Sequence, residues 1–158
     1  MNVVLSKTLA INAAFLEEIK DSNVALWNQV AAVRDLCQSH EIRSILLNRL
    51  VNLLNELRDS LALQFALEES YGYVEIASPP KPPLCLQAED VRSQHCVLYL
   101  TVSELAEQAE ELQYRGWEME HVDALVGRVK LFELQLALHE SQERQMLKAS
   151  RADHHHRA

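Results

Sequence analysis

Four long stretches of the chain repeat apolar residues at alternating intervals of three and four. Such spacing places the apolar side chains on one face of an α-helix. The predicted helical segments are 8–37, 42–75, 85–115 and 117–149. Four amphipathic helices joined by short loops bury their apolar faces against one another. The sequence therefore predicts an all-α fold, an antiparallel up-down-up-down four-helix bundle.

The predicted breaks between helices have clear local causes. The run 79-PPKPP-83 cannot be helix interior, because proline lacks the backbone donor and clashes with the preceding turn. Gly116 suits a helix C-terminus, and Ser39 suits the cap of a helix start. We expect one bundle domain over residues 1–150 and a flexible, histidine-rich tail over 151–158.

Composition excludes several classes of function. The chain has 158 residues, a formal charge of -8 and scattered Lys and Arg, which argues against nucleic acid or an anionic membrane as partner. Three unpaired cysteines and the lack of a signal-peptide pattern predict a cytoplasmic protein with reduced thiols. Phosphate-binding and hydrolase motifs are missing, so the chain is not expected to be an enzyme.

A few polar residues interrupt the apolar face of each predicted helix. They are Asn12, Asn23, Gln64, Glu68, His95, His139 and Glu143. In an up-down bundle, residues at one height are mirrored about the connecting loop. The sequence midpoint between the Gln64/Glu68 pair and His95 falls in the proline loop. The midpoint between His95 and the His139/Glu143 pair falls beside Trp117. We therefore expect one polar layer within the bundle, with Asn23 less closely aligned.

A buried layer of this kind must neutralise its carboxylates. Two imidazoles and two carboxylates could bind an iron, manganese or zinc ion, with His139 and Glu143 one helical turn apart. Alternatively, two His–Glu pairs could close a hydrogen-bond network with Asn23, Gln64 and Tyr99. The spacing of the residues leaves both interpretations open.

At these positions the chain resembles the hemerythrin-like (HHE cation-binding) family of four-helix bundles. The segments 23-NVALW-27 and 64-QFALEE-69 are similar to the family motifs His-x-x-Leu-Phe and His-Phe-x-x-Glu-Glu. The segment 95-HCVLY-99 is similar to His-x-x-x-His, and His139 is followed by Glu143 as in the fourth family motif. The resemblance covers about residues 9–149.

The resemblance implies a non-haem iron site with reduced or degenerate ligands. Its implied metal ligands are Glu68, His95, His139 and Glu143. Asn23, Gln64 and Tyr99 stand where the family has histidines, so these three are expected around the site or in substituted ligand positions. We do not expect a full oxygen-carrying dinuclear centre. We expect a mononuclear or dinuclear iron site of partial occupancy instead.

Two classes of function follow from these observations. The first is a metal-binding bundle that senses or stores iron or oxygen. The second is a structural or protein-interaction bundle in which no cofactor is bound and the polar layer fixes helix register. An oxygen-dependent redox activity is a third, weaker interpretation. The protein partner is unknown, and the sequence leaves a homodimer open.

Overall fold

A computed structural model of the chain describes residues 6–78 and 83–156, with side chains over 8–77 and 83–152. The described elements are a strand β1 (Ser6–Ile11), helices α1 (Ala13–Ser22), α2 (Val24–Gln38) and α3 (Arg43–Leu67), a π-helical turn (Glu68–Gly72), a strand β2 (Tyr73–Ser78), and helices α4 (Pro83–Arg115) and α5 (Met119–His156). The predicted all-α class is confirmed in this general form. The described residues contain five α-helices rather than four.

The first predicted helix, 8–37, is wrong as a single element. Residues 6–11 form β1, and the remainder is divided into α1 and α2. Each of the two helices starts after an asparagine, whose side-chain oxygen accepts a backbone hydrogen bond. Asn12 accepts from Phe15 N at 3.2 Å, and Asn23 accepts from Leu26 N at 3.2 Å. Asparagine is among the preferred N-cap residues, so both break the apolar pattern as caps.

The end of the second predicted helix, 42–75, is also corrected. Helix α3 stops at Leu67, and the chain passes through the π-helical turn into β2. Strands β1 and β2 pair antiparallel, with Leu9 opposite Glu75 and Ile11 opposite Tyr73. Tyr73, Val74 and Ile76 belong to residue types that favour strands. This local preference competes with the helical spacing, and pairing with β1 decides the outcome.

Two glycines permit backbone arrangements that other residues would strain. Gly116 has φ +87° directly after α4, which confirms the helix end predicted there. At Gly72 the backbone lies against the side chain of Leu16, and an added Cβ would lie 2.3 Å from a Leu16 methyl carbon. Gly72 O also accepts a hydrogen bond from Asn12 N at 2.8 Å. Gly72 thus allows α1 to pack directly on the π-helical turn.

The chain divides into two compact units. The first unit comprises Met1–Ser22, Gln64–His95 and Leu138–Ala158, and the second comprises Asn23–Leu63 and Cys96–Ala137. In the first unit, the strands and helix segments enclose an apolar cluster of Leu9, Leu16, Tyr73, Cys85, Ala88, Val91, Met146 and Leu147. The second unit contains four helical segments, whose buried residues include Val33, Leu54, Val102 and Val129.

The last two helices are the longest elements. Helix α4 has 33 residues and α5 has 38. Helix α5 extends to His156, past the boundary at 150 that we predicted for a flexible tail. Among residues 6–78 and 83–156, no helix is both long and apolar enough to cross a membrane.

Candidate metal centre

Four predicted ligands lie buried in the first unit. Glu68 opens the π-helical turn, His95 lies on α4, and His139 and Glu143 lie one turn apart on α5. None of the four side chains exceeds 3% exposure. One donor atom from each of His95, His139 and Glu143 lies within 4.8 Å of the other two. We call these three residues with Glu68 the His/Glu cluster.

The imidazole and carboxylate groups of the cluster approach one another without forming good hydrogen bonds. His95 Nε2 lies 3.2 Å from Glu68 Oε2, and His139 Nε2 lies 3.2 Å from Glu143 Oε2. All four atoms are buried and have no hydrogen-bond partner of acceptable geometry among the described residues. Two ligands of one metal ion, each bonded at about 2.0–2.2 Å, are separated by roughly 3.0–3.5 Å. The two contacts have the spacing of neighbouring ligands.

Aromatic packing fixes the orientation of both imidazoles. Phe65 stacks on His95, with ring centroids 4.1 Å apart and an interplanar angle of 9°. The same ring meets His139 edge-on at 5.8 Å, and the two imidazole centroids are 5.0 Å apart. Phe65 therefore forms an apolar wall that keeps the two rings together and restricts water on that side.

A relay of two glutamines sets the tautomer of His139. Gln94 Nε2 donates to Gln142 Oε1 at 2.6 Å, so its carbonyl oxygen is turned toward His139. That oxygen lies 2.8 Å from His139 Nδ1. Nδ1 therefore carries a proton, and in the neutral imidazole the lone pair is then on Nε2, the nitrogen beside Glu143. Metal-binding histidines usually have such a partner on the second nitrogen.

Lys20 on α1 is a member of the site that the sequence prediction missed. Its ammonium group forms an ion pair with Glu140 and lies 3.4 Å from Glu143 Oε2. Lys20 is only 2% exposed. Steps of three and four residues from Leu16 reach Ile19 and Lys20, and an apolar pattern favours Ile19 over the charged Lys20. The sequence does carry one indication that Lys20 is buried. It lies one helical turn after Leu16, and acidic residues on another helix could balance its charge.

Burial and neighbouring charges set the protonation of these groups. Burial and the charge of Glu143 raise the pKa of Glu68 to about 8. Burial and the nearby His139 lower the pKa of His95 to about 4. Burial alone would raise the pKa of Glu143, but the contact with His139 and the charge of Lys20 lower it overall. A neutral His95 and an ionised Glu143 are the states that a metal ion requires.

Lys20 and Glu143 support each other's charged forms. Burial disfavours the ammonium of Lys20, but the charges of Glu140 and Glu143 outweigh this effect and raise its pKa. An ionised carboxylate in a protein interior needs such a partner. Lys20 therefore supplies the positive charge that balances Glu143 in this structure.

The remaining predicted residues have different surroundings. Gln64 is buried, and its Nε2 donates to Glu68 Oε1 at 3.2 Å, so it positions that carboxylate. Asn23 caps α2 in the second unit. Tyr99, also in the second unit, is 40% exposed. The structure thus brings Gln64 into the site, and it gives Asn23 a capping function that the prediction had not considered.

Tyr73 is a second residue that the sequence prediction missed. It lies on β2, and its ring meets His95 edge-on with centroids 6.1 Å apart. A helix continuing to residue 75, with the spacing of Leu61 and Glu68, would instead turn Tyr71 inward. In the structure Tyr71 is 61% exposed and packs against Phe15. Only the change from helix to strand after Gly72 turns Tyr73 inward.

Comparison with known proteins gives no further information about this chain. No protein-family model matches it, and no similar protein was found among curated proteins or solved structures.

Proposed function

We propose that this protein is a hemerythrin-like, up-down helical bundle that binds one non-haem transition metal ion, with iron as the first candidate. His95, His139 and Glu143 would be its principal ligands, and Glu68 a fourth. The observation that carries the proposal is the convergence of three buried donor atoms within 4.8 Å. A site of this kind could serve in sensing or storing iron or oxygen.

The donor chemistry favours one ion of the iron, manganese or zinc group. Two imidazoles with carboxylates are common ligands of these metals, whereas calcium and magnesium prefer oxygen ligands. Four protein ligands are enough for a single ion but few for two. The proposal is supported by the three donor atoms of His95, His139 and Glu143 within 4.8 Å of one another, with Glu68 beside His95. We therefore propose a mononuclear centre.

Binding of the ion would change the charge balance of the cluster. Glu68 has a raised pKa, so a metal ion would displace its proton before the carboxylate could bind. Lys20 lies 3.4 Å from Glu143 and would lose part of its attraction to that carboxylate. Glu140 would remain as the partner of Lys20. The negative charge of the two carboxylates can thus be balanced in two ways. Without metal, a proton on Glu68 and the ammonium of Lys20 would balance it, and with metal the ion itself would.

Metal titration of protein purified without metal affinity steps tests this function. The terminal histidines of 153-DHHHRA-158 are replaced by alanine, because they could trap metal independently. We expect one equivalent of Fe(II) under anaerobic conditions, or of Co(II) as a spectroscopic probe. His139→Ala and Glu143→Gln should each abolish stoichiometric binding.

His121→Ala is the matched control for the titration. His121 is exposed at the start of α5 in the second unit, so its loss should leave the stoichiometry unchanged. No saturable binding by the parent protein, or binding that survives both ligand substitutions, would contradict a metal centre in this cluster.

A structural or interaction bundle is the second candidate function. The ion pairs of Lys20 with Glu140 and Glu143 favour it, because they partly neutralise the site without a metal ion. Under this function, replacing His139 with Leu and Glu143 with Met together should leave the free energy of unfolding unchanged or higher. A loss of stability that appears only when metal is present would instead support the metal centre.

A further inference from the structure

Apolar packing does not explain why residue 73 carries a buried hydroxyl group. The Tyr73 ring packs in the first unit's apolar cluster, together with Leu9 and Leu16. The residue is 5% exposed, and its hydroxyl oxygen is buried without a hydrogen-bond partner among the described residues. A buried phenol usually finds a partner, because an unsatisfied hydroxyl costs about 1–3 kcal/mol. Phenylalanine would fill an apolar site without this cost.

The ring of Tyr73 lies against one member of the His/Glu cluster. It contacts His95 edge-on at a centroid distance of 6.1 Å. Burial raises the pKa of the hydroxyl, and the charges of Glu143 and Glu68 raise it further. A phenol hydroxyl can donate a hydrogen bond, and that of Tyr73 is buried without a partner among the described residues.

The four protein ligands can hold a single iron ion but leave coordination positions open, as non-haem Fe(II) sites that bind small molecules do. His95, His139 and Glu143 supply three donors, and Glu68 lies beside His95. Metal sites that work on exogenous ligands keep at least one position for water or a small ligand. Any molecule in that position would need polar contacts, because Phe65 packs its apolar ring against both imidazoles.

We propose that the Tyr73 hydroxyl donates a hydrogen bond to a small acceptor, water or a small anion, held by the ion of the His/Glu cluster. This inference rests on the proposed metal centre and assigns Tyr73 a positioning function at it. Tyr73 would select ligands that accept a hydrogen bond over apolar ligands of similar size. Its function would be that of a hydrogen-bond donor to the bound molecule and not that of a ligand of the ion.

Azide binding to the iron-loaded protein tests the function of Tyr73. Azide is a small anion with lone pairs, and its binding to iron is followed by absorbance. We expect Tyr73→Phe to weaken azide binding about tenfold or more, since hydrogen bonds to charged groups are among the stronger ones. Iron affinity should be unchanged, because the phenol oxygen is not a ligand. The melting temperature should be unchanged or higher, because only an unpaired hydroxyl is removed.

Tyr71→Phe is the matched control, since Tyr71 lies two residues away and is exposed. It should leave azide affinity unchanged. A second measurement needs no variant: the infrared stretch of bound azide should shift between H2O and D2O if a protein hydroxyl donates to it. Equal azide affinity in the parent protein and Tyr73→Phe would overturn the inference, as would loss of iron from that variant. If the parent protein binds no iron at all, the proposed function itself is wrong.

Discussion

The imidazole of His139 depends on residues that do not belong to the cluster. Gln94 accepts from its Nδ1, and Gln142 holds the Gln94 amide in the required orientation. This arrangement leaves Nε2 as the nitrogen that lies beside Glu143. A histidine side chain alone does not make a metal ligand. A hydrogen-bond partner on one ring nitrogen decides which nitrogen can bind a metal ion.

We expect Gln94→Leu to weaken metal binding by about 10- to 100-fold, because the orienting partner of His139 is lost. Isothermal titration with Co(II) measures the change. Gln145→Leu is the control, since Gln145 is exposed on the same helix as His139. Equal affinities for the two variants would show that the glutamine relay does not orient the ligand.

The raised pKa of Glu68 predicts how the stability of the metal-free protein depends on pH. Unfolded Glu68 releases its proton near pH 4.5, whereas the folded protein holds it until about pH 8. The folded state thus binds more protons in this range, so stability decreases as pH rises. His95 acts in the opposite direction only below its unfolded pKa of 6.5. Between pH 6.5 and 8, Glu68 should therefore lower the unfolding free energy by about 2 kcal/mol.

Urea unfolding at several pH values, in the presence of a chelator, measures this slope. Glu68→Gln should remove it, because an amide does not titrate. Glu69→Gln should retain it, since Glu69 is about half exposed. A parent protein whose stability is constant over this interval would show that Glu68 ionises normally.

At the level of single elements, the turn after α3 decides the form of the site. Glu68 is its first residue and Gly72 its last, and β2 then carries Tyr73 inward. π-Helical turns are rare and often occur at functional sites. Because Leu16 occupies the space beside the Gly72 Cα, α1 packs closely and Lys20, one turn further along, is buried beside Glu143.

Gly72→Ala should destabilise the protein by about 1–3 kcal/mol, because a methyl group there overlaps Leu16 and overpacks the core. Gly127→Ala is a matched control on α5, where nothing lies within 4 Å of an added Cβ. That change should stabilise the helix by up to about 1 kcal/mol, since alanine has the higher helix propensity. Denaturant unfolding of both variants compares the two effects, and similar values for them would contradict the close contact.

On the scale of the whole molecule, an ion at the cluster would act as a ligand of the folded state only. With free metal at 100 times the dissociation constant, the stabilisation is about 2.7 kcal/mol. For a chain of 158 residues this corresponds to a melting temperature higher by roughly 5–11 °C. Calorimetry with and without Fe(II) measures the shift. His139→Ala should show none, and an equal shift in that variant would place the ion elsewhere.

Much of this architecture could be predicted from the spacing of residues along the chain. Periodic leucines such as Leu50, Leu54 and Leu57 are buried on α3, because helical geometry fixes which residues share a face. Gly116 ends α4 for an equally local reason, since glycine readily adopts positive φ. The burial of Glu68, His95, His139 and Glu143 followed from their positions in the same repeating pattern.

Other features depended on contacts between residues distant in the sequence. The pairing of β1 with β2 replaced the helical ends predicted at 8–11 and 73–75, because strands need a partner that local spacing cannot reveal. Lys20 entered the site through Glu140 and Glu143, which lie 120 or more residues away. Tyr73 faces His95 only because that pairing orients β2. Periodicity thus identified the buried residues of each helix, whereas packing between separate segments determined which polar groups meet.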